Sequence, residues 1–379
     1  AITITADRLT LATGTIASTG ALTLQPTTVA ESIGLGGGSG DLNLVDAEIL
    51  LLTNGFSSIT IGRTNGSGAI DIGSTTFTDP VTIQSGGGGA ITVTGALTAG
   101  SGNAITIDAG SSSFTQNDFD IATGGAGDIT ITADTIAIAD NTGNNALSST
   151  GALILQPDTT GQTIGIATGS GTFSLSADEI SDIANGFSSI TIGRSDSTGA
   201  IDIDAITFTD PVTIRGGAIT VTALQAGNNN ITLTSTATID EDVNDTTVDI
   251  TTSATLVMTA AGAIGATGGS GPLDLAVGTL QAVTNADGIF LLESNALIIG
   301  GTGVQTTGGN AAIEITLTAG NLTLDEDITA NGSGTVTLTL SAADAGVVTS
   351  GGNDDIASTS GAITITADRL TLATGTIAS

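Results

Sequence analysis

The chain has 379 residues and a formal net charge of −32, and its five basic residues are all arginines. Nucleic acids and anionic membrane surfaces are recognised by clustered cationic side chains, so this composition excludes both as partners. His, Cys, Lys and Tyr are absent. The usual general bases and activated nucleophiles are therefore missing, and we expect that the chain is not an enzyme.

Short stretches of alternating apolar and polar residues recur along the whole chain, beginning at Ala1–Thr5 and returning at Ala90–Thr94, Asp128–Thr132 and Gly217–Thr222. A period of two places Ile, Val and Leu on one face of a β-strand and Thr on the other. Gly, Asn, Asp and Ser separate the stretches and supply turns. The pattern predicts an all-β protein without significant helix.

Two levels of repetition organise these strands. Residues 362–379 are identical to residues 1–18, at an offset of 361. We therefore expect residues 1–361 to form one tandem repeat unit of a longer protein, and residues 362–379 to start the next unit. Within the unit, residues 18–97 resemble residues 149–224 at an offset of about 131.

Repeats built from short strands are typical of solenoids, in which each coil contacts only its neighbours. Related strands start at Ile2, Leu22 and Leu42, which indicates about 19 residues per coil. The predicted fold is one continuous right-handed parallel β-helix, a β-solenoid, over residues 1–379. About 19 coils spaced by about 4.8 Å would make one unit about 90 Å long.

The repeated phrases resemble those of a known family. The block Asn54–Arg63 is identical to Asn185–Arg194, and Phe77–Ile83 is identical to Phe208–Ile214. In wording and repetition they resemble the filamentous-haemagglutinin-type adhesins of two-partner secretion, and the giant β-strand-repeat surface proteins of Gram-negative bacteria. That resemblance implies a right-handed parallel β-helix, an extracellular or cell-surface location, and attachment or matrix roles.

One acidic segment is a weak candidate for a calcium loop. Its oxygen-bearing side chains are spaced like the first ligands of such a loop, and they are Asp240, Asp242, Asn244 and Asp245. Asp245 stands where an EF-hand needs Gly, and Thr251 stands where it needs the bidentate Glu. A solvated acidic turn is the favoured interpretation. We therefore predict no cofactor and no metal, with calcium as the open alternative.

Two further side-chain patterns have alternative interpretations. Outward pairs such as Thr3 and Thr5 are compatible with ice binding, but coils of variable length argue against long ranks of Thr in register. The eight Phe residues are expected to fill corners of the core, with carbohydrate stacking as the alternative. Repeat-equivalent arginines, such as Arg63 and Arg194, favour a scaffold role over a unique site.

The sequence favours a structural component of a bacterial extracellular filament, sheath or matrix. The alternative is the stalk of a large cell-surface adhesin whose ligand-binding domain lies outside this segment. The expected partners are adjacent copies of the repeat, end to end, with lateral bundling and binding to surface glycans or other cells left open. Nucleic acid binding and membrane insertion are not expected.

Overall fold

The computed structural model describes residues 1–100, 102–139, 146–267, 271–341 and 346–379. The chain is an all-β parallel β-solenoid of about 15 turns, spaced about 24 residues apart. Helix accounts for 2% of it, and no described helix reaches seven residues. The all-β parallel solenoid predicted from the alternating pattern is thus confirmed. The described residues form two compact units, Ala1–Ala167 with Thr172–Arg194, and Thr168–Gly171 with Ser195–Ser379.

Unit 1 contains twenty strands and two short helices among its described residues. They are β1 (Ile2–Thr5), β2 (Leu22–Gln25), β3 (Ile33–Leu35), β4 (Leu42–Leu44), α1 (Asp46–Ile49), β5 (Ile59–Arg63), β6 (Ile70–Ile72), β7 (Thr75–Phe77), β8 (Val81–Ser85), β9 (Ile91–Val93), β10 (Leu97–Ala99), β11 (Ile105–Asp108), β12 (Ser113–Asn117), β13 (Ile121–Thr123), β14 (Ile129–Thr132), β15 (Thr135–Ala139), β16 (Leu147–Ser148), β17 (Ala152–Gln156), β18 (Ile164–Ile166), β19 (Phe173–Leu175), α2 (Ala177–Ser181) and β20 (Ser189–Gly193).

Unit 2 contains twenty strands in its described part. They are β21 (Ile201–Ile203), β22 (Ile206–Thr207), β23 (Val212–Gly216), β24 (Ile219–Val221), β25 (Leu224–Gln225), β26 (Ile231–Ser235), β27 (Ile239–Glu241), β28 (Ile250–Ala260), β29 (Leu273–Thr284), β30 (Ile289–Glu293), β31 (Leu297–Thr306), β32 (Ile313–Leu317), β33 (Leu322–Leu324), β34 (Ile328–Ala330), β35 (Val336–Leu340), β36 (Val347–Ser350), β37 (Ile356–Ser358), β38 (Ile363–Thr366), β39 (Arg369–Leu372) and β40 (Ile377–Ala378).

The predicted coil of about 19 residues is too short. In the middle of unit 1 a turn consists of three strands such as β8, β9 and β10, and each joins a different parallel ladder before β11 returns to the first. Val81 therefore pairs with Ile105, 24 residues later. The inferred step from Ile2 to Leu22 is a true pairing. Leu42, however, pairs with Ile33 in another ladder and does not start the next turn.

Two turns of unit 1 are longer because each holds an extra strand and a short helix. Leu22 pairs with Ile59, 37 residues later, and the intervening chain forms β3, β4 and α1. Leu153 pairs with Ile190 at the same interval, around β18, β19 and α2. The ladder continues in register through both insertions, since the extra residues leave and rejoin it at matching positions.

The core is a narrow column of aliphatic side chains inside the turns. Most strands alternate, so that Leu22 and Leu24 are fully buried while Thr23 between them is only partly covered. Six of the eight Phe residues join this core, as predicted: Phe56, Phe77, Phe114, Phe173, Phe187 and Phe208. Phe290 is only half-buried and Phe119 is 43% exposed, so for these two residues that prediction is wrong. Among the described residues, no helix is long and apolar enough to cross a membrane.

Candidate functional site

The acidic segment singled out in the sequence connects β27 to β28 in unit 2. Asp242, Asn244 and Asp245 are exposed on this connection, and Asp240 is half-buried on β27. Asp240 accepts a hydrogen bond from the backbone N–H of Glu241 at 3.0 Å, and Asp245 accepts one from that of Thr247 at 2.5 Å. Such local bonds to the backbone are typical of acidic turns.

Three buried carboxylates lie beside this connection, and the sequence had not singled out any of them. Glu241 ends β27, Asp249 comes directly before β28, and Asp274 is the second residue of β29. One oxygen from each lies within 4.8 Å of the others. Their exposed fractions are only 5%, 5% and 2%. We refer to Glu241, Asp249 and Asp274 as the carboxylate cluster.

Parallel pairing of successive turns brings the cluster together. Ile250 pairs with Leu275, so the residues just before them, Asp249 and Asp274, lie side by side one turn apart. The N–H of Asp249 donates to the carbonyl of Asp274 at 2.8 Å. In return, the N–H of Asp274 donates to Oδ2 of Asp249 at 2.9 Å. Glu241 belongs to the same turn as Asp249 and approaches from the other end of the connection.

Most of the cluster's oxygens lack hydrogen-bond partners. Both carboxylate oxygens of Glu241 and both of Asp274 are buried and make no hydrogen bond to any described residue. Buried polar groups in proteins are normally paired, and each exception calls for a physical explanation. An ionised, unpaired carboxylate in this position would cost several kcal/mol. The native site therefore needs bound protons or a bound cation.

Burial and neighbouring negative charges both oppose ionisation of the cluster. Burial, followed by the charges of Asp274, Asp240 and Asp245, raises the pKa of Glu241 to about 7, and the backbone N–H of Asp245 acts in the opposite direction. Burial also raises the pKa of Asp249 to about 7, against the hydrogen bond from Asp274. For Asp274, burial and the charge of Asp245 raise the pKa to about 6.

A groove lies beside the connection, next to Asn244 and Gly271. It has a volume of about 280 Å³, and its lining includes Asn244, Gly271, Phe290 and Glu314. Gly271 closes the inner side: a Cβ at this position would lie 2.4 Å from Oε1 of Glu241 and 2.5 Å from Oδ1 of Asn244. Those two oxygens thus face the same small space. Asn244 and Asp245, two of the four residues in the predicted calcium loop, border the cluster.

Glu293 is a separate buried carboxylate, at the end of β30. It is fully buried, and it accepts backbone hydrogen bonds from Val277 at 3.3 Å and from Asn295 at 3.1 Å. Burial outweighs these bonds and raises the pKa of Glu293 to about 7. Because both neighbours are backbone donors, this residue has a role in the fold of the adjacent turn.

The outward Thr residues form one long rank. Parallel pairing aligns six of them in register: Thr3, Thr23, Thr60, Thr82, Thr106 and Thr130. The expectation that variable coils would prevent long ranks is therefore wrong, since the insertions leave the ladder undisturbed. The adjacent column, two residues along, has Thr5 and Thr132 only at its ends, with Gln25, Gly62, Gln84 and Asp108 between them. A flat face of paired Thr ranks is not formed there.

The repeat-equivalent arginines contact the backbone of the preceding turn. A guanidinium nitrogen of Arg63 donates to the carbonyl of Pro26 at 2.9 Å, and Arg194 donates to that of Asp158 at 2.7 Å. In each case the bond spans one long turn, 37 or 36 residues. Such contacts tie successive turns together.

Comparison of the chain with protein-family models, with curated proteins and with solved structures gave no match. The site is therefore interpreted from its own chemistry. Three carboxylates this deeply buried cannot contact a polysaccharide chain, which glycoside hydrolysis by paired carboxylates would require. They can share protons, or they can bind a small cation.

Proposed function

We propose that this chain is a structural segment of a bacterial extracellular filament, sheath or matrix, built from covalent tandem β-solenoid repeats. The observation that carries the proposal is the identity of residues 362–379 with residues 1–18 in a chain that folds as stacked turns. A solenoid lengthens by adding turns, and a tandem repeat supplies them covalently.

Each of the two identical segments pairs with a neighbouring turn, and this supports the proposal. In unit 2 the segment forms β38, β39 and β40, which pair in parallel with β35, β36 and β37 of the turn before. In unit 1 the segment forms β1, which pairs with β2 of the turn after, so that Ile2 lies beside Leu22 and Ile4 beside Leu24. The same sequence therefore accepts a turn on either side.

The apolar residues of β38 are also only partly covered. Ile363 and Ile365 are half-buried, whereas Val336 and Leu338, their partners in the preceding turn, are fully buried. In the proposed tandem array, the next unit would cover this strand edge. A further turn like β2 would cover it with the same Leu side chains that lie against β1.

The spacing of the turns changes the expected dimensions. With turns about 24 residues apart, a unit of 361 residues contains about 15 turns, in place of the predicted 19. A continuous ladder is part of the proposal, and at about 4.8 Å per turn the axial repeat becomes about 72 Å, in place of about 90 Å.

Hydrogen exchange tests the proposed junction. We compare the 379-residue chain with a recombinant chain of two tandem units, and follow the backbone amides of the segment 362–379. Covering by the next turn predicts much slower exchange in the two-unit chain, with the amides of β32 unchanged as an internal control. Equal exchange in the two chains would show that consecutive units do not stack.

A further inference from the structure

The carboxylate cluster combines two independent observations that point to a ligand. Its three side chains converge, with one oxygen from each within 4.8 Å of the others. In addition, four of its six oxygens are buried without a hydrogen-bond partner among the described residues. An acidic cluster on a solvated surface needs no ligand, because water satisfies it. Burial of Glu241 and Asp274 to 5% and 2% exposure removes that explanation.

The chain itself offers little compensation for this charge. It has no Lys and no His, and its net charge is −32. No arginine approaches the four unpartnered oxygens closely enough to bond, since they have no partner at all in the described structure. A strongly negative field attracts small cations and raises their local concentration. A cation from solution can therefore supply the positive charge that the chain does not place at the cluster.

We propose that Glu241, Asp249 and Asp274 bind one calcium ion, which links two successive turns of unit 2. Calcium prefers six to eight hard oxygen ligands and tolerates irregular geometry. Three oxygens within 4.8 Å of one another can be equidistant from an ion at about 2.8 Å or less, close to the 2.3–2.6 Å of calcium–oxygen bonds. A small inward movement of the side chains completes the contact.

The groove supplies the remaining ligands. Oδ1 of Asn244 faces the same space as Oε1 of Glu241, as their closeness to Gly271 shows. Water fills the other positions, as is common for calcium in proteins. Magnesium is a poorer fit, because it demands nearly ideal octahedral geometry at 2.0–2.1 Å and gives up its water reluctantly.

The ion would act on the exposed connection of this turn. Glu241 and Asp249 bracket the connection that carries the exposed residues Asp242 to Thr247, and Asp274 lies on the next turn. Binding all three therefore closes the connection and cross-links two turns. The proposal is independent of the tandem fibre, since it concerns residues within a single repeat unit.

Calcium binding to the metal-free 379-residue chain at pH 7.5 tests the site directly. Equilibrium dialysis should find about one tightly bound calcium per chain. Calcium at about 100 times its dissociation constant should raise the Tm by about 3–6 °C relative to the same chain in a chelator. The double variant E241Q/D274N should lose both effects while keeping the shape of the side chains. Glu326→Gln changes the exposed Glu of the similar segment Asp325–Asp327, and should keep both effects.

Three results would overturn the proposal. The first is the absence of tightly bound calcium in the wild-type chain. This result does not depend on whether the variants fold. The second is an equal rise in Tm for E241Q/D274N, which would show general screening of surface charge. The third is an equal or larger effect of magnesium, which would contradict calcium as the ion.

Discussion

Asp249 accepts a hydrogen bond from the backbone N–H of Asp274 at 2.9 Å, although both residues carry buried carboxyl groups. The two residues are 25 positions apart in the sequence and belong to successive turns. A solenoid therefore stacks like charges as readily as it stacks like apolar residues. Here the stacking brings two buried carboxyl groups together next to Glu241, and these three residues form the proposed calcium site.

Gly271→Ala should weaken calcium binding at the cluster about tenfold or more, because a Cβ would lie 2.4 Å from Oε1 of Glu241. Gly227→Ala is the matched control: its φ of +57° resembles the +64° of Gly271, but no atom lies within 4 Å of its Cβ. Both variants should lose about 1 kcal/mol of stability from the strained backbone. Calcium titration separates them, and equal affinities would contradict the assignment of Gly271 to the site.

Phe114→Ala should destabilise unit 1 by about 3–5 kcal/mol, because it leaves a cavity where a fully buried ring filled the core. Phe119, five residues later, is 43% exposed, so Phe119→Ala should cost less than about 1 kcal/mol. Chemical denaturation of both variants measures the difference. Similar losses for the two would mean that the narrow column is not packed as described.

Glu179→Ala should destabilise unit 1 by about 2 kcal/mol, because the carboxylate caps α2 and also contacts the preceding turn. It accepts the backbone N–H of Ser176 at 2.8 Å and that of Ile138 at 3.0 Å. Asp178→Ala, in the same helical turn but exposed, should change stability by less than about 0.5 kcal/mol. Thermal unfolding compares them, and a neutral Glu179→Ala would refute the bridging role.

The raised pKa of Glu293 predicts a loss of folding stability as the pH rises. Its pKa in the folded chain is about 7, against an ordinary value of 4.5, so the folded state holds the proton more tightly. The associated stability is fully present below about pH 4.5 and is lost as the pH approaches and passes 7. Glu293→Gln cannot titrate, and should therefore gain up to about 3 kcal/mol relative to wild type between these limits.

The difference in unfolding free energy between Glu293→Gln and wild type, followed against pH, isolates this group from the other carboxylates. Glu314→Gln, at an exposed position on β32, is the control for removing a carboxylate from the surface. A flat difference for Glu293→Gln would show that Glu293 is ionised in the folded state across this range.

Strand type and core residues could be predicted from the sequence, because alternation with period two is a local property. Leu22 and Leu24 follow it, and so does Glu241, which is buried on the same face of β27 as Ile239. The length of a turn could not be predicted in this way. Whether Leu42 pairs with Leu22 or with Ile33 depends on where the chain bends, and similar short strands on different faces look alike in sequence.

Only part of the carboxylate cluster could be predicted by the same reasoning. The acidic segment after Ile239 drew attention to Asp240, Asp242, Asn244 and Asp245, yet the buried members are Glu241, Asp249 and Asp274. Alternation would have identified Glu241. It places Asp274 on the outer face, because Leu273 and Leu275 on either side face inward, but all three are buried. That burial comes from contacts with another turn, which no local pattern encodes.

Mass spectrometry of the natural protein under full denaturation, together with electron micrographs of any assembly it forms, tests the central claim most directly. A covalent tandem solenoid predicts a chain several times heavier than the 36.6 kDa of these 379 residues, and an axial repeat of about 72 Å. A fully denatured chain close to 36.6 kDa would contradict it, since separate subunits would then have to stack without covalent links.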